Sequence, residues 1–143
     1  IKILSKGYNN YARQLLDQEP LKSSRQKACV VDDSPMILNI YRSILHELQF
    51  EPVLFQSATK ALNWLKDEKP AILFTDLNMP GMTGTELVTK IRQWYPKENL
   101  PIILVTSEQN RQNREQAYQA GINALLNKPF NLESIQAVLS PLL

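Results

Sequence analysis

Four short, mainly apolar runs, each followed directly by a polar residue, constrain the fold of this chain more than any other sequence feature. The runs occupy residues 28–31, 71–75, 102–105 and 124–127, and the residues after them are Asp32 with Asp33, Asp76, Thr106 and Lys128. A strand that is apolar on both faces is typical of a parallel sheet covered by helices. If the runs are neighbouring strands, three carboxylates, a hydroxyl and an ammonium group converge at the carboxyl edge of the sheet.

Segments with helical periodicity separate these runs. After Ser34 and Pro35, which suit a helix cap and a first turn, an apolar stripe with 3.6-residue spacing contains Met36, Ile37, Ile40, Ile44, Leu45 and Leu48. A short strand at 53–55 and four more helical segments follow, at 58–65, 87–94, 109–120 and 132–139. Strict alternation predicts an α/β fold, a flavodoxin-like doubly wound parallel sheet of five strands in the order 2-1-3-4-5, with helices on both faces.

Length and composition limit the class of protein to which this chain can belong. A chain of 143 residues with 43% hydrophobic and 21% charged residues is typical of one soluble globular domain. No apolar segment approaches the roughly 20 residues of a membrane-spanning helix, so no membrane partner is expected. The single cysteine, Cys29, excludes an internal disulfide, and its apolar surroundings favour a buried thiol. A cytoplasmic location fits this cysteine usage.

Residues 1–26 differ from the rest of the chain in charge and in sequence pattern. They carry five basic and two acidic side chains, a charge of +3, whereas the whole chain carries +2. Helical spacing predicts a short helix within 8–19, and Pro20 begins a polar linker. We interpret 1–26 as an N-terminal helical extension or linker, or as the end of an upstream domain, and 27–143 as the main domain. Because the chain begins with isoleucine, we expect a longer protein. The basic segment either contacts a polyanion or, as the better interpretation, carries solvated charge. The rest of the chain has no cluster of lysine and arginine on one face, so direct nucleic-acid binding is not expected.

The carboxylates at the predicted sheet edge indicate a metal site. Like charges a few ångströms apart need compensation, and a hard divalent cation with oxygen ligands supplies it. Magnesium suits a site with few carboxylates, several waters and a phosphate oxygen. We predict Asp33 and Asp76 as direct ligands, Asp32 as a ligand through water, and the backbone carbonyl of Asn78 as a further oxygen.

The remaining edge residues indicate phosphoryl chemistry. Lys128 is a point charge on a long stem that can reach an anion in the same pocket, and Thr106 offers a hydroxyl to a phosphoryl oxygen. Charge neutralisation of this kind is most of what phosphoryl transfer requires from a protein. A carboxylate so placed can itself be the nucleophile, and Asp76, after the central strand, is the best candidate for an aspartyl-phosphate.

Residues 27–143 resemble the receiver domain of two-component response regulators. The motifs that carry the resemblance are Val30-Val31-Asp32-Asp33-Ser34, Phe74-Thr75-Asp76-Leu77-Asn78-Met79-Pro80-Gly81-Met82-Thr83-Gly84, Val105-Thr106-Ser107, Ala120-Gly121 and Asn127-Lys128-Pro129-Phe130. The resemblance implies a CheY-like switch that takes a phosphoryl group on Asp76 from a histidine kinase or histidine phosphotransfer protein. It also implies a magnesium-binding acidic pair in Asp32 and Asp33. Thr106 and Lys128 become phosphoryl-sensing groups, and the peptide bond before Pro129 becomes cis.

The resemblance also sets expectations about output. Such a domain is a signalling module that catalyses only its own phosphorylation and dephosphorylation, and it switches a partner-binding surface. Asn78 and Glu108 are either residues that order a water for hydrolysis or solvated loop residues. Many receivers carry an aromatic residue three positions before the lysine, where this chain has Leu125, so an aromatic rotamer switch is not expected. The polar segment 111–119 is either a partner surface or a solvated face.

Two other functions compete with the phosphoacceptor hypothesis. One is a degenerate receiver that acts as a static protein-interaction module, which Leu125 allows and the complete set of edge residues opposes. The other is a haloacid-dehalogenase-type phosphatase, because Asp76-Leu77-Asn78 imitates an Asp-x-Asp nucleophile loop. The order of the acidic groups and the asparagine at 78 oppose this enzyme.

Overall fold

A computed structural model describes residues 25–143, so the helix and linker predicted within 1–24 lie outside the described residues. The elements are β1 (Lys27–Val31), α1 (Pro35–Glu47), β2 (Glu51–Phe55), α2 (Ala58–Leu65), β3 (Ile72–Asp76), α3 (Gly84–Ile91), β4 (Ile102–Thr106), α4 (Arg111–Ala120), β5 (Ala124–Asn127) and α5 (Leu132–Leu139). The five strands form one parallel sheet in the order β2-β1-β3-β4-β5. The predicted doubly wound fold is confirmed.

The sheet separates two apolar cores because successive side chains of a strand point to opposite faces. On β1, Cys29 and Val31 enter one core together with residues of α2, α3 and α4, whereas Ala28 and Val30 enter the other with residues of α1 and α5. Nearly every residue of the three central strands is buried, which explains why their sequences are continuous apolar runs. Cys29 is a buried free thiol, as predicted.

The apolar stripe predicted for α1 is partly wrong. The residues that face the core are Leu38, Tyr41 and Leu45, whereas Met36 is 70% exposed and Ile40 is 41% exposed. The helix begins as predicted, since the Ser34 side chain accepts a hydrogen bond from the Ile37 amide at 3.3 Å. Leu38 and Tyr41 lie outside the predicted stripe, and both are core residues.

Boundaries of two other elements also differ from the prediction. The third helix begins at Gly84, because Thr83 and Glu86 form a capping box, and it ends at Ile91 rather than at Trp94. Strand β2 begins at Glu51 and contains Pro52, which an edge strand tolerates.

The polar segment predicted as the fourth helix forms α4. Asn110 is its N-cap, since the Asn110 side chain accepts a hydrogen bond from the Asn113 amide at 3.1 Å. The helix ends at Ala120 and is capped by Gly121, whose φ of 117° is left-handed and favours glycine. None of the helices within residues 25–143 is long and apolar enough to span a membrane.

Candidate functional site

The carboxyl ends of the strands bring together the polar residues that the sequence singled out. Asp32 follows β1, Asp76 ends β3, and Lys128 follows β5. The Lys128 Nζ lies 3.3 Å from Asp32 Oδ2 and 3.2 Å from Asp76 Oδ2. Asp32 is 1% exposed and Asp76 is 8% exposed, so one ammonium group bridges two buried carboxylates.

Backbone amides fix the other oxygens of these two carboxylates. Asp32 Oδ1 accepts a hydrogen bond from the Ser34 amide at 2.9 Å, and Asp76 Oδ1 accepts one from the Leu77 amide at 2.8 Å. Each side chain is therefore held in one orientation, with its second oxygen turned towards Lys128. Hydrogen bonds to an ionised carboxylate are among the stronger ones in proteins.

Asp33 completes an acidic cluster with these two residues. Ligand oxygens of Asp32, Asp33 and Asp76 all lie within 4.8 Å of one another, and this is the one group of three or more metal-ligating side chains found within residues 25–143. Asp33 is exposed, so the cluster opens to solvent on its side. Hard carboxylate oxygens with an open side suit a magnesium ion that keeps several of its waters.

The electrostatics of the pocket reflect both the burial of its charged groups and the clustering of its carboxylates. Burial raises the pKa of Asp76, the repulsion from Asp32 adds to this, and the attraction of Lys128 opposes it. Burial lowers the pKa of Lys128, but the two carboxylates outweigh this effect and raise it overall. Asp76 holds its proton more tightly chiefly because it is buried, whereas Lys128 does so because two carboxylates face it, and a bound cation would offset the negative charge of the cluster.

Thr106 is the last residue of β4, the strand next to β3. It directly follows Val105, which pairs with Asp76 across the two strands. Its side chain is 1% exposed, and its Oγ1 accepts a hydrogen bond from the Glu108 amide at 2.9 Å. The hydroxyl proton is therefore available for another acceptor.

Asn78 and Glu108, for which the sequence leaves two roles open, lie in the loops that follow β3 and β4. Asn78 is exposed, and nothing in its contacts fixes its carbonyl as a metal ligand, so that role stays a prediction. The Glu108 carboxylate accepts a hydrogen bond from the Asn110 amide at 3.1 Å, which helps to start α4. The Lys128–Pro129 peptide bond is cis, as the resemblance implied.

Sequence reasoning missed the role of Gly84 at this site. A Cβ atom at Gly84 would lie 2.1 Å from the backbone oxygen of Asp76, and the Gly84 amide donates to the Leu77 carbonyl at 2.8 Å. The loop from Asp76 to α3 therefore closes tightly on itself. A glycine eight residues after the aspartate gives no signal of this contact, because the contact depends on how the loop folds back.

The surface around the site is apolar on the α1 side. A groove of about 290 Å³ runs beside Lys128 and is lined by Ile37, Ile40, Ser107, Pro129 and Phe130. On the α4 side, Leu125 is half-buried against the core, and Ala117 is the buried residue of the otherwise polar α4.

Comparison with known proteins supports a single family. A model of the response regulator receiver domain matches residues 28–140. The chain is 37% identical over 119 residues to a chemotaxis protein CheY homolog of Campylobacter jejuni, which covers 82% of this chain and 92% of that protein. It is 30% identical over 115 residues to response regulator Rre1 of Synechocystis sp., which covers 80% of this chain but 50% of Rre1, so the chain spans half of that longer relative.

Solved structures with the same fold agree. The chemotaxis response regulator CheY4 of Vibrio cholerae superposes with a TM-score of 0.77 at 28% identity, over 84% of this chain and 100% of CheY4. The receiver domain of the sensor histidine kinase PA1611 from Pseudomonas aeruginosa has a TM-score of 0.75 at 24% identity, over 82% of this chain and 97% of that one. That domain was solved with a magnesium ion coordinated in its active site cleft.

Proposed function

Because the chain belongs to the response regulator receiver domain family, we propose that it is a phosphoacceptor of a two-component or phosphorelay pathway. A phosphohistidine of a histidine kinase or of a histidine phosphotransfer protein is the donor, and Asp76 is the acceptor. The observation that carries the proposal is the geometry of Asp76, a buried carboxylate held between the Leu77 amide and the Lys128 ammonium beside two further aspartates.

The transfer is a displacement at phosphorus. A carboxylate oxygen of Asp76 forms the new O–P bond while the N–P bond to the donor imidazole breaks, and the imidazole keeps the electron pair and later takes a proton from water. The product is an aspartyl-phosphate. Hydrolysis of that acyl phosphate by water returns the free carboxylate, so the domain catalyses only its own phosphorylation and dephosphorylation.

Lys128 and Thr106 act on the phosphoryl oxygens. The Lys128 ammonium, 3.2 Å from Asp76 in the unphosphorylated protein, is near enough to neutralise charge that develops on the transferring group. The Thr106 hydroxyl has its proton free to donate to a phosphoryl oxygen, since its own oxygen accepts from the Glu108 amide. Donation by Thr106 would move the start of α4, because two hydrogen bonds link them. The Glu108 amide donates to Thr106, and the Glu108 carboxylate accepts from the Asn110 amide.

Asp32, Asp33 and Asp76 are the residues that would hold a magnesium ion, with the Asn78 carbonyl as a further predicted ligand. When bound, magnesium supplies positive charge to the phosphoryl oxygens and offsets the repulsion among the carboxylates. The donor set fits the ion, because three hard oxygen ligands lie within 4.8 Å of one another. The magnesium in the PA1611 receiver supports the same use of this site here.

The apolar groove beside Lys128 is the surface that fits the phosphodonor. Met36 and Ile40 are exposed on α1, and Ile40, Pro129 and Phe130 line the groove. An apolar helix face of the donor that carries the phosphohistidine would cover these side chains and exclude water from the transfer.

A static interaction module is the second candidate, and Leu125 is the observation that favours it. Without an aromatic side chain at this position, switching has to go through Thr106 and α4. Hydrogen exchange of the β4 and β5 region with and without beryllofluoride separates the two, since an unchanged pattern would support the static module. The phosphatase alternative has no such support, because the family match spans 28–140.

Two further points remain proposals. Residues 27–143 are the receiver domain, and 1–26 are an extension or linker that can connect to an upstream output or kinase domain. A cytoplasmic location and the absence of direct nucleic-acid or membrane contact stay predictions.

The test is phosphorylation by acetyl phosphate with magnesium, followed by intact-mass measurement. We expect one phosphoryl group on the wild type, none on D76A, and a wild-type level on D67A, which removes an exposed aspartate in the loop between α2 and β3. Addition of EDTA should abolish the reaction. No adduct on the wild type, or an adduct that persists in D76A, would contradict the proposal.

A further inference from the structure

Arg114 and Asn127 form a hydrogen bond that takes no part in the phosphoryl chemistry. Asn127 is the last residue of β5 and directly precedes Lys128, whereas Arg114 lies in the first turn of α4. The Arg114 guanidinium donates to Asn127 Oδ1 at 3.0 Å. Leu125 precedes Asn127 by two residues, so both side chains lie on the face of the sheet that α4 covers. The bond therefore joins α4 to the strand that leads to Lys128.

Backbone contacts connect the same strand end to Thr106. Asn127 pairs with Thr106 between β4 and β5, and the Lys128 amide donates to the Thr106 carbonyl at 3.0 Å. Thr106 and Lys128, the two residues that we assign to the phosphoryl oxygens, are thus fixed to each other through the backbone. The position of Asn127 is set by the sheet rather than by α4.

A series of hydrogen bonds leads from Thr106 back to Arg114. The Glu108 amide donates to Thr106 Oγ1 at 2.9 Å, and the Glu108 carboxylate accepts from the Asn110 amide at 3.1 Å. The Arg114 amide donates to the Asn110 carbonyl at 3.2 Å. With the bond from Arg114 to Asn127, these contacts form a closed ring that runs from β4 through the first turn of α4 to β5.

Movement of the Thr106 hydroxyl towards a phosphoryl group would act on one side of this ring. The bonds through Glu108 would carry the first turn of α4, and Arg114 with it, after the hydroxyl. Asn127 would not follow, because its backbone is held in β5. The bond between Arg114 and Asn127 is exposed and joins two side chains, so it is the link that water can replace at the lowest cost.

We propose that the hydrogen bond between Arg114 and Asn127 is a latch that holds α4 in its unphosphorylated position and opens when Asp76 is phosphorylated. The inference rests on the proposed function. It gives β5 a part in switching that needs no aromatic side chain at Leu125. A bond that only the unphosphorylated state makes weakens the binding of any ligand that favours the other state. Loss of the latch should therefore favour the phosphorylated state.

Beryllofluoride with magnesium mimics a phosphoryl group on a carboxylate, so its Kd, measured by calorimetry on the whole chain, tests the latch. We expect N127A and R114A each to bind it about 3- to 10-fold more tightly than the wild type, the effect of one net hydrogen bond. The double variant R114A/N127A should match the single variants, because both changes remove the same bond. A variant that only damaged the fold would not bind more tightly.

R111A is the matched control. Arg111 is an exposed arginine in the same turn of α4, and its side chain makes no hydrogen bond within residues 25–143. R111A removes the same charge as R114A without removing the latch, so its Kd should stay within twofold of the wild type. A gain in R111A equal to that in R114A would overturn the proposal, because the charge and not the bond would then be responsible.

The other outcomes separate this inference from the proposed function. Kd values of N127A and R114A that lie within twofold of the wild type, or above it, would overturn the latch. So would a double variant whose gain is the product of the two single gains. A wild type that binds beryllofluoride but takes no phosphoryl group from acetyl phosphate would overturn the proposed function, while the Kd series would still decide the role of this bond. A wild type that binds no beryllofluoride would overturn both.

Discussion

Replacement of Gly84 by alanine should damage the site through the backbone. The added Cβ would lie 2.1 Å from the Asp76 backbone oxygen and 3.0 Å from Leu104 Cδ1. Real Cβ contacts essentially never fall below 3.0 Å, so the loop or the end of β3 has to move by about 0.9 Å to remove the overlap. The hydrogen bond from the Gly84 amide to the Leu77 carbonyl resists this movement.

The expected effects of G84A follow from that displacement. Overpacking of a tight contact costs about 1–3 kcal/mol, and the backbone partner places G84A near the upper end of this range. A shift of about 1 Å in a reacting group can slow a reaction roughly 100-fold, and the shift here falls on the residue that accepts the phosphoryl group. We therefore expect a free energy of unfolding lower by about 3 kcal/mol and phosphorylation by acetyl phosphate slower by about 100-fold.

G81A is the matched control in the same loop. Gly81 has a φ of 84° and no atom within 4 Å of a Cβ placed on it, so alanine there is strained but meets nothing. Its penalty is about 1–2 kcal/mol of backbone strain, without a displacement at Asp76. The two variants are compared by urea unfolding and by intact-mass kinetics. If G84A is phosphorylated as fast as G81A, the close approach of Gly84 to Asp76 does not matter and the reasoning is wrong.

Three more predictions follow from the site and the core. Substitution I40D should slow phosphotransfer from a phosphohistidine donor at least 10-fold and leave the acetyl phosphate reaction unchanged, and equal slowing of both would exclude the groove as the donor surface. Because burial raises the pKa of Asp76, the folded state binds its proton more tightly than the unfolded state, so metal-free protein should lose stability as pH rises from about 4 through the raised pKa. Urea midpoints measured in EDTA should show this loss in the wild type and not in D76N. Cys29 is fully buried and burial raises the pKa of its thiol, so an aromatic disulfide reagent should label it only in denaturant, and fast labelling of folded protein would contradict this.

The sheet and the main site residues could be predicted because both depend on local patterns. Continuous apolar runs indicate buried parallel strands, and the carboxyl ends of parallel strands meet at one edge. The pattern therefore predicts that Asp32, Asp76 and Lys128 lie together at this edge. The predicted second strand begins at Val53, whereas the observed strand includes Pro52. Proline is compatible with a strand at an edge, and a sequence does not show which strand lies there.

The features that could not be predicted depend on distances between segments far apart in the chain. The spacing of α1 predicts Met36 and Ile40 as core residues, but the sheet buries Leu38 and Tyr41 in their place, while Leu45 is buried as predicted. The contact between Gly84 and Asp76 and the packing of Tyr41 on Phe74 arise only when loops and helices are placed against the sheet. Sequence patterns carry little information about such contacts.

The position of Pro52 has a consequence for association of the domain. In β2 the Glu51 amide donates inward to the Gln26 carbonyl, so by alternation the residue at 52 directs its backbone nitrogen outward. Proline has no hydrogen there, and Leu54 alone within the strand offers an outward amide. An extended segment from another molecule that paired with β2 would therefore lack a backbone donor at Pro52. This missing hydrogen bond protects the domain from edge-to-edge aggregation.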